Sequence, residues 1–196
     1  MTKFQRRRAA IAKWAKGLER RGYTLWFGEV PEVWKDDLLQ WGAEATDAFP
    51  FVADLTVKHV PDLQGAPLQH ANRVLKCRHK PSRVEFFHEF GHHLDATVMD
   101  VLSTDSGSLT MNIHGFQKMP PWDQKKYARW FKQYIGLPKT NWAPATSLGL
   151  THLQKPNEMF AEAVAAALMG RKKGVIVSFA WGKKRKALRL VKAMMR

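Results

Sequence analysis

The sequence predicts an α+β fold, because segments with helical spacing of apolar residues are interspersed with short segments that alternate or are rich in aromatic residues. The 196 residues, 45% of them hydrophobic, suffice for one domain with its own core. Pro and Gly stand at several of the predicted boundaries. We predict helices over 3–21, 31–45, 81–102, 121–136, 157–170 and 178–196, and strands over 24–30, 51–60, 73–77 and 108–115.

The N-terminal part begins with an amphipathic helix that has one basic face. Its apolar residues lie three, four and seven positions apart, and Gly22 follows its end. Segment 24–30 is short, aromatic and bounded by Gly and Pro, which indicates a strand. Pro31 suits the first turn of the next helix. The apolar positions of these two helices are Phe4, Ile11, Trp14, Leu18, Val33, Trp34, Leu38 and Trp41.

The rest of the chain is assigned in the same way. Segments 51–60 and 73–77 read as strands on either side of the turn-rich segment 61–67. From Pro81 the spacing becomes helical, and segment 137–156, rich in Pro, Thr and Gly, is predicted to be a long loop of the kind that is often functional. The apolar stripe of helix 81–102 consists of Val84, Phe87, Phe90, Gly91, Leu94 and Val98.

Positive charge is concentrated at the two ends of the chain. The formal net charge is +15; residues 1–22 hold eight basic residues and one acid, and residues 171–196 hold ten basic residues and no acid. Such ends bind nucleic acid, bind an acidic protein assembly, or only keep the protein in solution. We therefore distinguish a basic helix (1–22), a central domain (23–170) and a second basic helix (171–196). The residues predicted to face a polyanion are Arg6, Arg7, Arg8, Lys183, Lys184, Arg185, Lys186, Arg189 and Lys192.

The cysteine content and the apolar runs bear on the compartment. Cys77 is the only cysteine, which excludes an internal disulfide and indicates a reducing compartment. The sequence has no secretory signal and no uncharged apolar run of about 18 residues. These observations predict a cytoplasmic protein without a membrane span.

The motif HEFGH, residues 88–92, carries the residue types of a metal site. His88 and His92 are four residues apart, so on a helix both imidazoles project from one face and can share one ion. Glu89 lies beside them, where its carboxylate can take a proton from a metal-bound water. Two neutral imidazoles suit Zn²⁺, which lowers the pKa of such a water toward about 7. The alternative is a chance occurrence of the motif.

A catalytic zinc site also needs a third protein ligand and an open position for water. Glu158 and Glu162 are four residues apart in helix 157–170, whose other positions are nearly all apolar. If this helix packs across the histidine helix, Glu158 can be the third ligand and Glu162 can accept a hydrogen bond from a ligand histidine. The alternative is that both acids face solvent.

Other polar residues near these motifs are given structural roles. His93 points away from His92 and is interpreted as a packing or solvent-facing histidine. Asp95 is expected to form a structural hydrogen bond rather than to bind metal. Cys77 is expected to be a buried strand residue, and His70 has no spacing that recruits it to the site.

HEFGHHLD followed by NEMFAEA resembles the gluzincin zinc metallopeptidases, most closely the anthrax lethal factor-like catalytic domains and small phage-type relatives. The resemblance covers these two motifs and their order. It implies a zincin-like fold, in which a small sheet packs on two active-site helices, here with additional basic terminal helices. The roles that it implies are those of metal ligands for His88, His92 and Glu158, general base for Glu89, and support of a ligand histidine for Glu162.

The sequence departs from this family at one position. Seven residues before the ligand glutamate the family has a tyrosine that stabilises the oxyanion, and here the residue is Thr151. His152, Tyr134 and His114 are the alternative donors.

The motifs together predict a zinc-dependent endopeptidase that acts on a protein or peptide. The alternative, favoured by Thr151, is a nucleic-acid-associated or virion structural or assembly protein. Such a protein would keep the zincin-like fold with weak or no peptidase activity, use its basic ends as the working surface and be located in the virion.

Overall fold

The computed structural model describes residues 1–17, 22–101, 156–170 and 184–195. These residues form an α+β structure with a small, open, mixed sheet and five helices. The helices are α1 (Lys3–Gly17), α2 (Glu32–Ala48), α3 (Arg83–Val101), α4 (Pro156–Met169) and α5 (Lys184–Met194), and the strands are β1 (Leu25–Phe27), β2 (Leu55–His59), β3 (Leu68–Ala71) and β4 (Val74–Cys77).

The sheet has the strand order β1-β2-β4-β3. β1 runs parallel to β2, and β2 runs parallel to β4, whereas β3 pairs antiparallel with β4 at the edge. The parallel pair β1 and β2 is connected through α2, as parallel strands require a crossover. β3 and β4 form a hairpin whose two turn residues, Asn72 and Arg73, both have positive φ angles.

The two faces of the sheet differ in polarity, because alternate residues of a strand point to opposite sides. Leu55 and Val57 of β2 and Leu75 and Cys77 of β4 are buried on the inner face. On the outer face the register pairs Lys58 with Lys76, and both are exposed. The inner face packs with aromatic and aliphatic side chains of the helices and of the segment that follows α2. The largest fully buried ones are Leu38, Phe86, Phe87, Phe90 and Leu94 of the helices and Phe49 and Phe51 of that segment.

Helix α3 is the central helix of the fold. It begins with a capping box, in which the Ser82 backbone N–H donates to the Glu85 side chain at 2.7 Å and the Glu85 N–H donates to the Ser82 hydroxyl at 3.3 Å. Further along, α3 packs against α2, α4 and β3. Because it has neighbours on several sides, its buried residues extend beyond one apolar stripe and include His93 and Asp95.

The predicted elements in the described ranges are present with shifted bounds: most are shorter than predicted, whereas α2 extends three residues beyond its predicted end, to Ala48. The strand over 51–60 is limited to Leu55–His59, and the last helix, predicted over 178–196, is described over Lys184–Met194. Strand β3 was not predicted. The strand predicted over 108–115, the helix over 121–136 and the loop over 137–156 lie outside the described residues, apart from Pro156, which begins α4.

The terminal helices α1 and α5 pack against each other, and α5 also packs against α4. Ala15 of α1 and Val191 and Met194 of α5 are buried in this contact region and belong to the hydrophobic core. Among the helices in the described part of the chain, none combines the length and apolar character needed to cross a membrane.

Candidate metal centre

Helices α3 and α4 are in close contact at a glycine. A Cβ atom built on Gly91 would lie 2.5 Å from the Cα atom of Ala161 and 3.0 Å from its carbonyl oxygen, so only glycine fits there. Ordinary carbon contacts are about 3.5 to 4.0 Å long. The small residues Gly91 and Ala161 therefore let the two backbones touch, and this contact brings the HEFGH motif against α4.

The crossing places an acid of α4 beside a histidine of α3. Nδ1 of His88 lies 3.0 Å from Oε1 of Glu162, and the two side chains are only 16% and 21% exposed. The rings of His88 and His92 have centroids 4.9 Å apart and are nearly perpendicular, at 82°. Both imidazoles therefore lie on one side of α3, as their spacing predicted, with Glu162 next to the first of them.

This arrangement fits the second coordination sphere of a zinc ion. Metal-binding histidines commonly donate their other ring N–H to a carboxylate, which fixes the tautomer. With Nδ1 of His88 beside Glu162, Nε2 is the ring nitrogen left for a metal. The structure places the carboxylate of Glu162 next to His88, and its role as hydrogen-bond acceptor of a ligand histidine stays a prediction.

The predicted third ligand, Glu158, belongs to α4 and lies one turn before Glu162, so the helix places both positions on the same side. The side chain of Glu158 is outside the described part of the structure. Within the described part, no group of three or more His, Cys, Asp or Glu side chains is placed to hold a metal ion. The ligand set of His88, His92 and Glu158 thus stays a prediction.

Cys77, at the end of β4, lies near enough to α3 for the charges of Glu85 and Glu89 to act on it. Its side chain is buried, as predicted, and forms no disulfide. Burial, together with the negative charges of Glu89 and Glu85, raises the pKa of the Cys77 thiol to about 12. The thiol is therefore protonated at neutral pH and is a poor nucleophile.

A pair of histidines connects α3 to the sheet. His93 is fully buried, with Nε2 lying 2.8 Å from the carbonyl oxygen of Ala53 and Nδ1 lying 3.2 Å from Nε2 of His70. Because a carbonyl oxygen only accepts, Nε2 of His93 is the donor in the contact with Ala53. Burial first, and then the neighbouring His93 and His92, lower the pKa of His70 to about 3. The two contacts hold the His93 ring between Ala53 and His70 of β3.

These contacts refine the sequence interpretation. His93 is a packing histidine, as one of the two stated options had it, whereas His70 does take part in the surroundings of the site. The signal for His70 was its position two residues after Leu68, which places it on the inner face of β3. Asp95 is buried on α3, in agreement with a structural role.

Several predicted site residues lie outside the described ranges. These are the alternative oxyanion donors and one basic residue: His114, Tyr134, His152 and Lys183. The side chains of Arg7, Lys184, Arg185 and Lys186 are also outside the described part, although their backbones belong to α1 and α5. The remaining predicted polyanion-facing residues, which are exposed, are Arg6, Arg8, Arg189 and Lys192.

No protein-family model, curated protein or solved structure matches this chain. The function proposed for the site therefore rests on the residues of α3 and α4, on their geometry, and on the resemblance of the two motifs.

Proposed function

We propose that the chain is a zinc-dependent endopeptidase with a zincin-like fold, in which His88, His92 and Glu158 hold the metal. The observation that carries this proposal is the 3.0 Å contact between Nδ1 of His88 and Oε1 of Glu162 across the helix crossing. It joins the two motifs in space, although Asn157, where NEMFAEA begins, lies 69 positions after His88. A small mixed sheet beside two crossing helices is compatible with this fold.

The chain's own residues prepare the site in two ways. The carboxylate of Glu162 lies 3.0 Å from Nδ1 of His88, where its charge favours the tautomer protonated at Nδ1 and so leaves the lone pair of Nε2 for the metal. His93, hydrogen-bonded to Ala53 and His70, fixes the rotation of α3 about its axis against the sheet, and His92 is the residue immediately before it. The helix face that carries the two ligand histidines is therefore held in place from both sides.

The reaction would be hydrolysis of a peptide bond. When bound, zinc supplies an electrophile that polarises a peptide carbonyl and makes a water molecule more acidic. Glu89 accepts the proton of the attacking water and then delivers it to the leaving amine. A donor from His114, Tyr134 or His152 would stabilise the oxyanion.

The test of the catalytic role compares two isosteric substitutions in the same helix. Glu89→Gln removes the base, and we expect peptide hydrolysis to fall by about 10²-fold to 10⁴-fold with the zinc content unchanged. Glu85→Gln makes the same chemical change one turn earlier, where the amide oxygen still accepts from Ser82, and should keep both activity and zinc. Wild-type protein that holds zinc but cleaves no member of a mixed peptide library would overturn the proposal.

The metal ligands are tested separately by elemental analysis of purified chains. We expect about one zinc per wild-type chain and a large loss in His92→Ala and Glu158→Ala. His59→Ala is the matched control, because His59 contacts the Trp34 ring and has no predicted role. Equal zinc in all four proteins would show that the metal binds elsewhere.

A further inference from the structure

The two basic ends of the chain, which the peptidase reaction does not use, come together in the fold. Helix α1 carries six basic residues and α5 carries five, and neither contains an acid. The two helices pack against each other, so residues from opposite ends of the sequence form one neighbourhood. Eleven positive charges are thereby gathered on two adjacent helices.

The buried and exposed positions of these helices show how the charges are directed. Ala15 of α1 and Val191 of α5 are buried, and they define the sides that face the core. Lys13 and Lys16 of α1 are exposed and lie three positions apart, as do the exposed Arg189 and Lys192 of α5. Residues at this spacing share a helix face. Each helix thus shows a basic face to solvent on the side away from the core.

Within the described part of the chain these charges have no acidic partner in an ion pair. None of the ion pairs formed among the described residues includes Arg6, Lys13, Lys16, Arg189 or Lys192. The rest of the chain, residues 23–170, has 14 basic and 16 acidic residues, an excess of only two acids. The basic surface therefore requires counterions from solution or from a polyanionic partner.

The packing of α5 distinguishes between two such partners. A helix that binds a lipid surface inserts its apolar face between the lipids. The apolar face of α5 is already occupied, because Val191 and Met194 are buried against the protein core. The exposed side chains among those described in α5, Arg189 and Lys192, are charged. They suit contacts with the phosphates of a nucleic acid, where one negative charge recurs about every 1.7 Å of duplex.

We propose that α1 and α5 together form a binding surface for the phosphate backbone of double-stranded nucleic acid, without preference for base sequence. This surface goes beyond the proposed peptidase and does not depend on it. Because α5 also packs on α4, the nucleic acid would bind one helix away from the candidate metal centre. The chain would thus be held on a polyanion while the site itself remained accessible to a peptide.

The test measures binding of the full chain to a fluorescent 20-base-pair duplex of mixed sequence between 50 and 200 mM NaCl. Each phosphate contact contributes a slope of about −0.9 to the plot of log K against log salt. Arg189→Gln/Lys192→Gln should make this negative slope shallower by about 1.8 and weaken duplex binding at 100 mM NaCl by roughly tenfold or more. Lys13→Gln/Lys16→Gln should have the same effect, because both helices belong to the surface.

The matched control is Lys58→Gln/Lys76→Gln, which removes two exposed charges from adjacent positions on the outer face of the sheet. This variant has the same net charge as the α1 and α5 variants, and we expect its duplex affinity to stay within about threefold of wild type. Equal weakening in all three variants would overturn the proposal, as would absence of duplex binding at 50 mM. Tighter binding to polyglutamate or to phosphatidylserine vesicles than to the duplex would assign the surface to a different partner.

Discussion

The contact between Gly91 and Ala161 predicts that a single methyl group will damage both the fold and the metal site. In Gly91→Ala the new Cβ would lie 2.5 Å from the Cα of Ala161, which is backbone and cannot rotate away. Restoring an ordinary carbon contact of about 3.5 Å requires α3 and α4 to separate by about 1 Å. The substitution therefore changes the distance between the two motifs without altering a predicted ligand.

The magnitude follows from two opposing effects. Alanine favours the helical state over glycine by about 1 kcal/mol. Overpacking of a core costs about 1 to 3 kcal/mol, and a backbone neighbour places Gly91→Ala at the upper end. We expect a net loss of about 2 kcal/mol in the free energy of unfolding, or a Tm lower by about 4 to 8 °C for a chain of this size.

Zinc affinity should fall by a separate route. A separation of about 1 Å exceeds the tolerance of about 0.2 Å in metal–ligand distances and lengthens the contact between His88 and Glu162. We expect the Kd for zinc, measured by competition with a chromophoric chelator, to rise at least about tenfold.

The matched substitution is Gly42→Ala in α2. The new Cβ there would meet the Cδ2 atom of Leu25 at 3.3 Å and the hydroxyl of Tyr23 at 3.4 Å, both of which are side-chain ends that can shift. Its Tm should be equal to or above that of wild type, with unchanged zinc affinity. A Gly91→Ala protein with wild-type Tm would refute the tight crossing, and a lower Tm with unchanged zinc affinity would show that the crossing does not organise the site.

Substitutions at three further residues have defined outcomes. The pKa of His70 is lowered from 6.5 to about 3 in the native state, so stability is lost as pH falls from 6.5 toward 3. His70→Gln should therefore flatten the slope of unfolding free energy against pH in that window. An unchanged slope would contradict the lowered pKa of His70. Glu162→Ala should weaken zinc binding by about 10-fold to 100-fold and Glu162→Gln by less, measured by chelator competition, whereas equal affinities would exclude a supporting role for the acid. Phe90 is fully buried beside the rings of Phe49 and Tyr23. We expect Phe90→Ala to lower the free energy of unfolding, measured by urea denaturation, by about 3 to 5 kcal/mol. A loss below about 1 kcal/mol would mean that neighbouring side chains fill the cavity.

The order of helices and strands could be predicted because most elements have a clear period or a clear boundary. β3 lacks both, since it has only four residues and its hairpin turn has Asn72 and Arg73 at the two positions with positive φ. The usual signal for such a turn is Asn followed by Gly. Arginine at the second position does not indicate such a turn, so the sequence did not predict the edge strand β3.

The proximity of the two motifs could be inferred from chemistry, but the surroundings of the site could not. Acids in an apolar helix require partners, and this requirement associated Glu162 with the histidine helix. The position of the crossing depends on Gly91 and Ala161 meeting, which no periodicity specifies. The link from His93 to His70 depends on β3, so missing that strand also meant missing this contact.

The pairing of α1 with α5 has a consequence for synthesis of the chain on the ribosome. α5 begins at Lys184, 167 positions after α1 ends at Gly17. At translation rates of about 5 to 20 residues per second, synthesis of α5 begins roughly 10 to 30 s after synthesis of α1 ends. During that interval the side of α1 that carries Ala15 lacks the cover that α5 later provides. Contacts of such large sequence separation also form slowly, so a nascent chain stalled before residue 184 should be cleaved by protease in α1 more readily than the finished chain.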